Sequence, residues 1–377
     1  MGSRLRRAST AVLLAAIAGC GPLERGGQVA ALGAILPLSG PEARSGECIL
    51  EGMRLAARRR GPPVEILPRD AYGSTGAALR RLAELADQPR VVAVVGGWRA
   101  ASGRPLAAAA AARGIPFVAL SPLAAPQAVA RGPQGLHRVS ALGAAAARFA
   151  REDLSAKSAG LARVPGSDAS ATLASAFAQA FRGGGGVVRW TVEPDAAGKL
   201  AAPANDGEPV DVVWVAGPGS LVAQLADAPA ASRAAFLIAE GWTWDNLEPL
   251  AGAGSKVYGL SWYSPNDPGP PCRDFIEACT SAGIVPTPAH ALGWDFVNAA
   301  RTAMEAEDAS REGVARGLGG SAKFDGATGR LALGQGGETP AVSRVTSDGL
   351  RFLRRVGAEG APALETSPAD SAESGGA

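Results

Sequence analysis

From residue 29 onward the chain repeats one unit: a short run of Val, Ile, Leu or Ala, a loop, an Ala- and Arg-rich stretch of helical period, then another short apolar run. Apolar runs of this length that do not alternate with polar residues suit strands buried on both faces. Such burial requires helices above and below a mostly parallel sheet. The spacing predicts strands at 29–36, 64–67, 91–95 and 117–120. Between them it predicts helices at 45–60, at 74–86 with Ser74 as N-cap, and at 101–113, closed by Gly114. The rhythm then restarts with a helix at 141–154, an extended run at 160–164 and a helix at 169–181, halted by the glycines of 183–186. Strands follow at 187–192, 210–215, 235–238 and 257–262, with helices at 221–227, 273–282 and 289–307 and β-rich segments at 324–333 and 341–356. Two open α/β sheets are therefore expected. Ligands of such sheets bind outside the carboxyl ends of the strands, so a cleft between two lobes is the expected site.

A hydrophobic share of 47% and a charged share of 19% in 377 residues allow two full cores. A net charge of +2 argues against nucleic acid as a partner, which would need a basic face. The triplet Arg58, Arg59 and Arg60 reads as the solvated end of a helix. The first residues read as targeting rather than fold: Arg4, Arg6 and Arg7 precede an apolar run at 11–18 that is too short to span a membrane. The sequence Ile17-Ala18-Gly19-Cys20 that follows resembles the lipobox of bacterial lipoproteins, which implies cleavage before Cys20 and a lipid on its thiol. An ordinary secretory signal cleaved nearby is the competing reading. Residues 21–28 are expected to be a tether and 358–377 a disordered tail. By the same resemblance, Gly21 favours the outer over the inner membrane as the anchoring surface.

Once Cys20 is set aside, Cys48, Cys272 and Cys279 remain, an odd number. Cys272 and Cys279 stand two helical turns apart, about 10 Å, too far for a disulfide if both are helical. His137 and His290 are the chain's 2 histidines and lie far apart in sequence, so no metal site is expected and the thiols read as buried and inert. Neither histidine stands in a nucleophile context, no phosphate-binding loop is present, and the glycines at 183–186 lack the spacing of a dinucleotide site. Glu47 and Glu51, one turn apart, read as surface carboxylates. The sequence points away from an enzyme and calls for no cofactor.

The run Ile35-Leu36-Pro37-Leu38-Ser39-Gly40-Pro41, with Gly46 and the helix around Gly52-Met53-Arg54-Leu55-Ala56, resembles the opening of the branched-chain amino-acid receptor family of periplasmic binding proteins. Four further blocks resemble that family in order: 91–96, 114–122, Gly293-Trp294-Asp295, and Phe324-Asp325-Gly326-Ala327-Thr328-Gly329. The resemblance implies a type I clamshell of two Rossmann-like lobes joined by a three-strand hinge. The first lobe would hold 29–139 and 264–334, the second 140–263 and 335–357. It also implies a small-molecule ligand caught between the lobes and a membrane permease of the ABC type as partner. Together with the leader, the expected protein is a lipid-anchored, extracytoplasmic solute receptor for an amino acid, amide or related compound. A second reading keeps the fold but assigns protein contacts, as in lipoproteins that activate penicillin-binding proteins.

In amino-acid-binding members of that family, hydroxyls and amides of the first lobe grip a carboxylate and an acid of the second lobe pairs with the ammonium. Glu240 falls at the acid's place, with a solvated glutamate at a strand end as the competing reading. The first-lobe loops match less well: Ala100 stands where a hydroxyl is usual, with Ser102 close enough to substitute, and Ala125 stands near the family's threonine. Aromatic rings lie at or beside expected cleft-facing turns instead, namely Trp98, Trp242, Trp244, Trp262, Tyr263 and Trp294. The candidate contact set is Ser45, Trp98, Arg99, Ser102, Ser121, Glu240, Trp242 and Trp294, with Arg99 suited to an anionic group.

Overall fold

A computed structural model describes residues 29–98, 100–120, 137, 139–200, 208–239, 256–319, 324–331 and 338–357. The first group of elements is β1 (Ala30–Leu36), α1 (Ala43–Ala57), β2 (Val64–Asp70), α2 (Thr75–Ala86), β3 (Val91–Gly96), α3 (Ala100–Ala112) and β4 (Phe117–Ala119). Its four strands form a parallel sheet in the order β2-β1-β3-β4. All six residues of β3 are buried, as expected of a strand covered on both sides. Along β1, Leu32, Ala34 and Leu36 face one apolar cluster while Ala31 and Ile35 face another. The second cluster is closed by α2 and α3. Pro68 is tolerated because β2 is an edge strand.

The second group is α4 (Val139–Glu152), β5 (Ser158–Arg163), α5 (Asp168–Gly183), β6 (Val187–Val192), β7 (Val212–Ala216), α6 (Ser220–Ala226), β8 (Ala235–Ile238) and β9 (Val257–Ser261). Later come α7 (Pro270–Ser281), α8 (Pro288–Ala306), α9 (Arg311–Gly319), a β10–β11 hairpin (Phe324–Gly326, Gly329–Leu331) and a β12–β13 hairpin (Ala341–Thr346, Gly349–Arg355). The seven-stranded sheet runs β13-β12-β9-β8-β7-β5-β6, with β12 antiparallel to both neighbours. Trp214 and its neighbours on β7 alternate between a cluster filled by α4 and α5 and another filled by α6. Side chains of α7, α8 and α9 join the first sheet's core, whereas Val342 and Val356 join the core of the second. No helix among the described residues is long and apolar enough to cross a membrane.

Small residues let the helices pack at backbone distance. A Cβ on Gly52 would stand 2.0 Å from the His290 carbonyl oxygen, and one on Gly293 would stand 2.0 Å from the Ile49 carbonyl oxygen. These two glycines lock α1 against α8. Gly143 plays the same part between α4 and α5, where a Cβ would meet the Leu173 carbonyl oxygen at 2.6 Å. Helix α5 runs on through Gly183 and caps at Gly184, beyond the expected stop.

Where the chain passes between the two sheets, buried groups converge. The Arg355 guanidinium donates to Asp267 Oδ2 (2.6 Å) and to the carbonyl oxygens of Trp262 (3.1 Å), Thr339 (2.9 Å) and Ala327 (3.1 Å). The His137 ring stacks on Trp262 with centroids 4.1 Å apart, and its Nε2 meets Thr328 Oγ1 at 2.9 Å. Asp295 accepts from the amides of Ala327 and Thr328, each at 2.8 Å, and from the Thr328 hydroxyl. Burial, reinforced by Arg355, holds His137 down to about 3. Burial also raises Asp295 to about 6, against the hydrogen bonds from Thr328 and Ala327 and the charge of Arg355.

Candidate functional site

The carboxyl ends of β1, β2 and β3 open into a cavity of about 150 Å³ whose lining includes Pro37, Glu42, Ser74, Thr75, Trp98 and Ser102. Its position is where an open α/β sheet places a ligand. Three short loops build it. The first, 37–42, is tied down by Asp70, whose Oδ1 accepts from the Leu38 amide at 3.1 Å and the Tyr72 amide at 2.9 Å. Burial alone would raise the Asp70 carboxyl; hydrogen bonds from the Ser39 hydroxyl and the amides of Tyr72, Leu38 and Ser39 outweigh it and hold the group below its usual value.

The second loop, 71–74, turns sharply into α2. Tyr72 sits at a φ of 48°, a left-handed conformation costly for an aromatic residue. It is 61% exposed, with the Arg81 guanidinium 5.7 Å from its ring centroid. Ser74 then caps α2 by accepting from the Ala77 amide at 3.1 Å. The third loop leaves β3 through Gly97. Its φ of 69° and the 2.7 Å approach of a would-be Cβ to Gly103 Cα both demand glycine. That turn carries Trp98 to the cavity and starts α3 at Ala100. Two helix N-termini, those of α2 and α3, thus lie at the same cavity, and neither helix has an acidic residue in its first turn. The amides and positive dipole ends of two helices make the place receptive to a negative group.

Of the candidate contact residues, Trp98 and Ser102 are brought together in this cavity. Ser45 lies half-buried in the first turn of α1, its amide donating to the Glu42 carbonyl oxygen at 3.0 Å, and does not line the cavity. Trp294 is placed elsewhere. Its ring is buried in the core of the first sheet, edge-on to Phe275 at 5.6 Å, with the Arg59 guanidinium 5.2 Å from its centroid. Trp262 and Tyr263 are likewise buried, on His137 and Phe275 respectively. Arg99, Ser121, Glu240 and Trp242 lie outside the described residues, as does Trp244.

Sequence reading does not single out the cavity residues Glu42 and Thr75, nor the turn at Tyr72 beside them. The signal available for the last two is the run Ala71-Tyr72-Gly73-Ser74-Thr75, a turn directly after a strand. Cys48, Cys272 and Cys279 are buried and free. Burial, with Asp267 nearby, pushes the Cys272 thiol up to about 12, and burial with Glu51 pushes Cys279 to about 11.

No curated protein sequence matches the chain. Solved structures do. A leucine-binding protein from Thermotoga maritima is 21% identical, with 87% of this chain and 99% of that one covered at a TM-score of 0.65. An ABC transporter substrate-binding protein from Sphaerobacter thermophilus is 19% identical, covering 87% and 98% at a TM-score of 0.70. A solute-binding protein of an ABC transporter from R. palustris, solved in complex with benzoate, is 18% identical, covering 90% and 98% at 0.63. These likenesses show the type I, two-lobed binding-protein fold. The profile described as "periplasmic binding protein" matches residues 30–346, nearly the whole described chain. The protein is therefore a member of the periplasmic binding protein family, a class of non-enzymatic, extracytoplasmic solute receptors of ABC transport.

Proposed function

We propose that this protein captures a small carboxylate-bearing metabolite, an amino acid, an amino-acid derivative or an aromatic acid, and delivers it to an ABC permease. The observation that carries this reading is the meeting of two helix N-termini, the residues Ser74, Thr75 and Ser102 and the Trp98 ring on one cavity at the strand ends. The helix ends suit a carboxylate, and the indole offers a flat apolar wall for the rest of the ligand. Leucine and benzoate, named for two of the structural neighbours, share that chemistry. The second lobe would close over the ligand and supply Glu240 to an ammonium group where one is present. Closure is then a population shift driven by contacts made only in the closed form.

The lobes are taken as 29–139 with 264–334, and 140–263 with 335–357. Membership of the separate apolar cores supports this division to within a residue at its boundaries, where Val139 packs with the second core and Tyr263 with the first. The leader and Cys20 support a lipid anchor in the cell envelope, with residues 21–28 as the tether.

A thermal-shift screen of the mature chain tests the reading, after unfolding and refolding to strip carried-over ligand. A true ligand at 100 times its Kd stabilises the fold by about 2.7 kcal/mol. Amino acids and aromatic acids should produce such a shift, and the corresponding amides and alcohols should not. Glu240→Ala should abolish the response to amines bearing a carboxylate and spare simple acids. No shift with any carboxylate would overturn the assignment in favour of a lipoprotein that acts through protein contacts.

A further inference from the structure

The backbone contact between α1 and α8 has a chemical consequence outside the cavity lining. Cys48 and Glu51 are three residues apart on α1 and so share one face of that helix. Gly52 and Gly293 bring α8 close enough that His290, in its first turn, lands on the same spot. The Cys48 sulfur, a Glu51 carboxylate oxygen and a His290 ring nitrogen all lie within 4.8 Å of one another. Cys48 is 4% exposed and His290 fully buried, whereas the Glu51 side chain is 40% exposed, so the cluster has one open side. We propose that Cys48, Glu51 and His290 form a zinc-binding site in the first lobe, with water completing a tetrahedron on the Glu51 side.

The donor set decides the metal. One thiolate, one imidazole and one carboxylate match the mixed sulfur, nitrogen and oxygen preference of Zn²⁺ and suit Mg²⁺ or Ca²⁺ poorly. The charges cancel, two negative ligands against a dication, so a mostly buried place can hold the ion without a stranded charge. Tetrahedral zinc at usual bond lengths spaces its donor atoms about 3.3–3.8 Å apart, so the side chains need only small movements. The imidazole is also oriented from behind: Thr287 Oγ1 lies 2.7 Å from His290 Nδ1 while Glu51 Oε2 lies 2.9 Å from Nε2. An outer partner on the far ring nitrogen is the usual support of a metal-binding histidine.

The proton balance follows from these contacts. Without metal, the ring donates Nε2–H to the Glu51 carboxylate, which can only accept, and receives the Thr287 hydroxyl at Nδ1. When zinc binds, the ring proton moves to Nδ1 and donates to Thr287 Oγ1, freeing the Nε2 lone pair. The Cys48 S–H bond breaks as the zinc–sulfur bond forms, and that proton leaves to solvent. One proton is released per zinc bound.

Chelator-treated protein titrated with Co²⁺ reads the site directly, because a cobalt–thiolate bond absorbs in the near ultraviolet and tetrahedral cobalt has strong visible bands. The expected result is both signatures at one cobalt per chain, with both abolished by added Zn²⁺. Cys48→Ser should remove the near-ultraviolet band and Cys272→Ser should keep it. Because His290 is buried and its loss could unfold the lobe, Glu51→Gln serves as the second variant. It should leave the melting temperature of the metal-free protein unchanged and weaken zinc at least tenfold. Absence of the thiolate band in the unmodified protein, its persistence in Cys48→Ser, or unaltered zinc affinity in Glu51→Gln would each overturn the proposal.

Discussion

Trp98 and Trp294 both follow a glycine, yet their surroundings separate them. Trp98 is half-buried at the cavity, packed on the first lobe's core along one side and open along the other. Trp294 is closed in by Phe275 and Arg59. Their truncations should therefore fail in different ways. Removing a buried ring leaves a hole, at a cost of roughly 3–5 kcal/mol, whereas a ring at a cavity edge leaves a space that water can fill. Trp294→Ala should lower the urea midpoint accordingly while the surviving folded fraction keeps its ligand affinity. Trp98→Ala should shift the midpoint little and weaken the ligand identified by the thermal screen at least tenfold. Paired unfolding and binding curves for the two variants decide it; equal affinity loss in both would remove Trp98 from the site.

At the level of elements, the glycine contacts between α1 and α8 set the geometry of the first lobe. Gly52→Ala places a methyl group against the His290 carbonyl carbon and oxygen, with no flexible side chain to yield. Overpacking of this kind costs about 1–3 kcal/mol and occasionally more. A circular-dichroism melt of Gly52→Ala should show that loss, whereas Gly76→Ala, which meets only the far end of Arg80, should not. The same contacts explain what could be read from sequence. Continuous apolar runs mark the buried strands, and Ser74 marks the start of α2. Helix α9 escapes a reading by periodicity because its apolar positions are few: Val314 and Leu318 are its buried apolar residues. The meeting of Cys48 with His290 is not legible either. It depends on a crossing point that joins Glu51 to a residue 239 positions away, set by glycines that carry no chemistry of their own. At the cavity, Trp98 and Ser102 are legible from a loop after a strand, while the left-handed turn at Tyr72 beside it is hidden because nothing local demands that conformation of a tyrosine.

For the molecule as a whole, the passage between the lobes is a buried polar junction, and its charges predict how acid acts on the protein. Arg355 and Asp267 form a buried pair, with His137 and Asp295 beside them. His137 titrates at about 3 when folded against an ordinary 6.5, so the stability it contributes is full above 6.5 and is lost as pH falls toward 3. Asp295 works in the opposite sense. Raised from 3.8 to about 6, it favours the folded state fully below 3.8, and that contribution disappears as pH rises through 6. Between about pH 6 and 4 the unfolded chain takes up a proton at the histidine while the folded chain takes one up at the aspartate. The two slopes therefore largely offset each other across that window, and each group conceals the other. Removing either one exposes its partner. His137→Gln leaves Asp295 alone, so the melting temperature of that variant should hold or climb, relative to the unmodified protein, as pH falls from 6 to 4. Asp295→Asn leaves His137 alone and should fall more steeply over the same range. Melting curves of the three proteins from pH 7 to pH 4 check both signs, and parallel curves would show that acid acts elsewhere than at the junction.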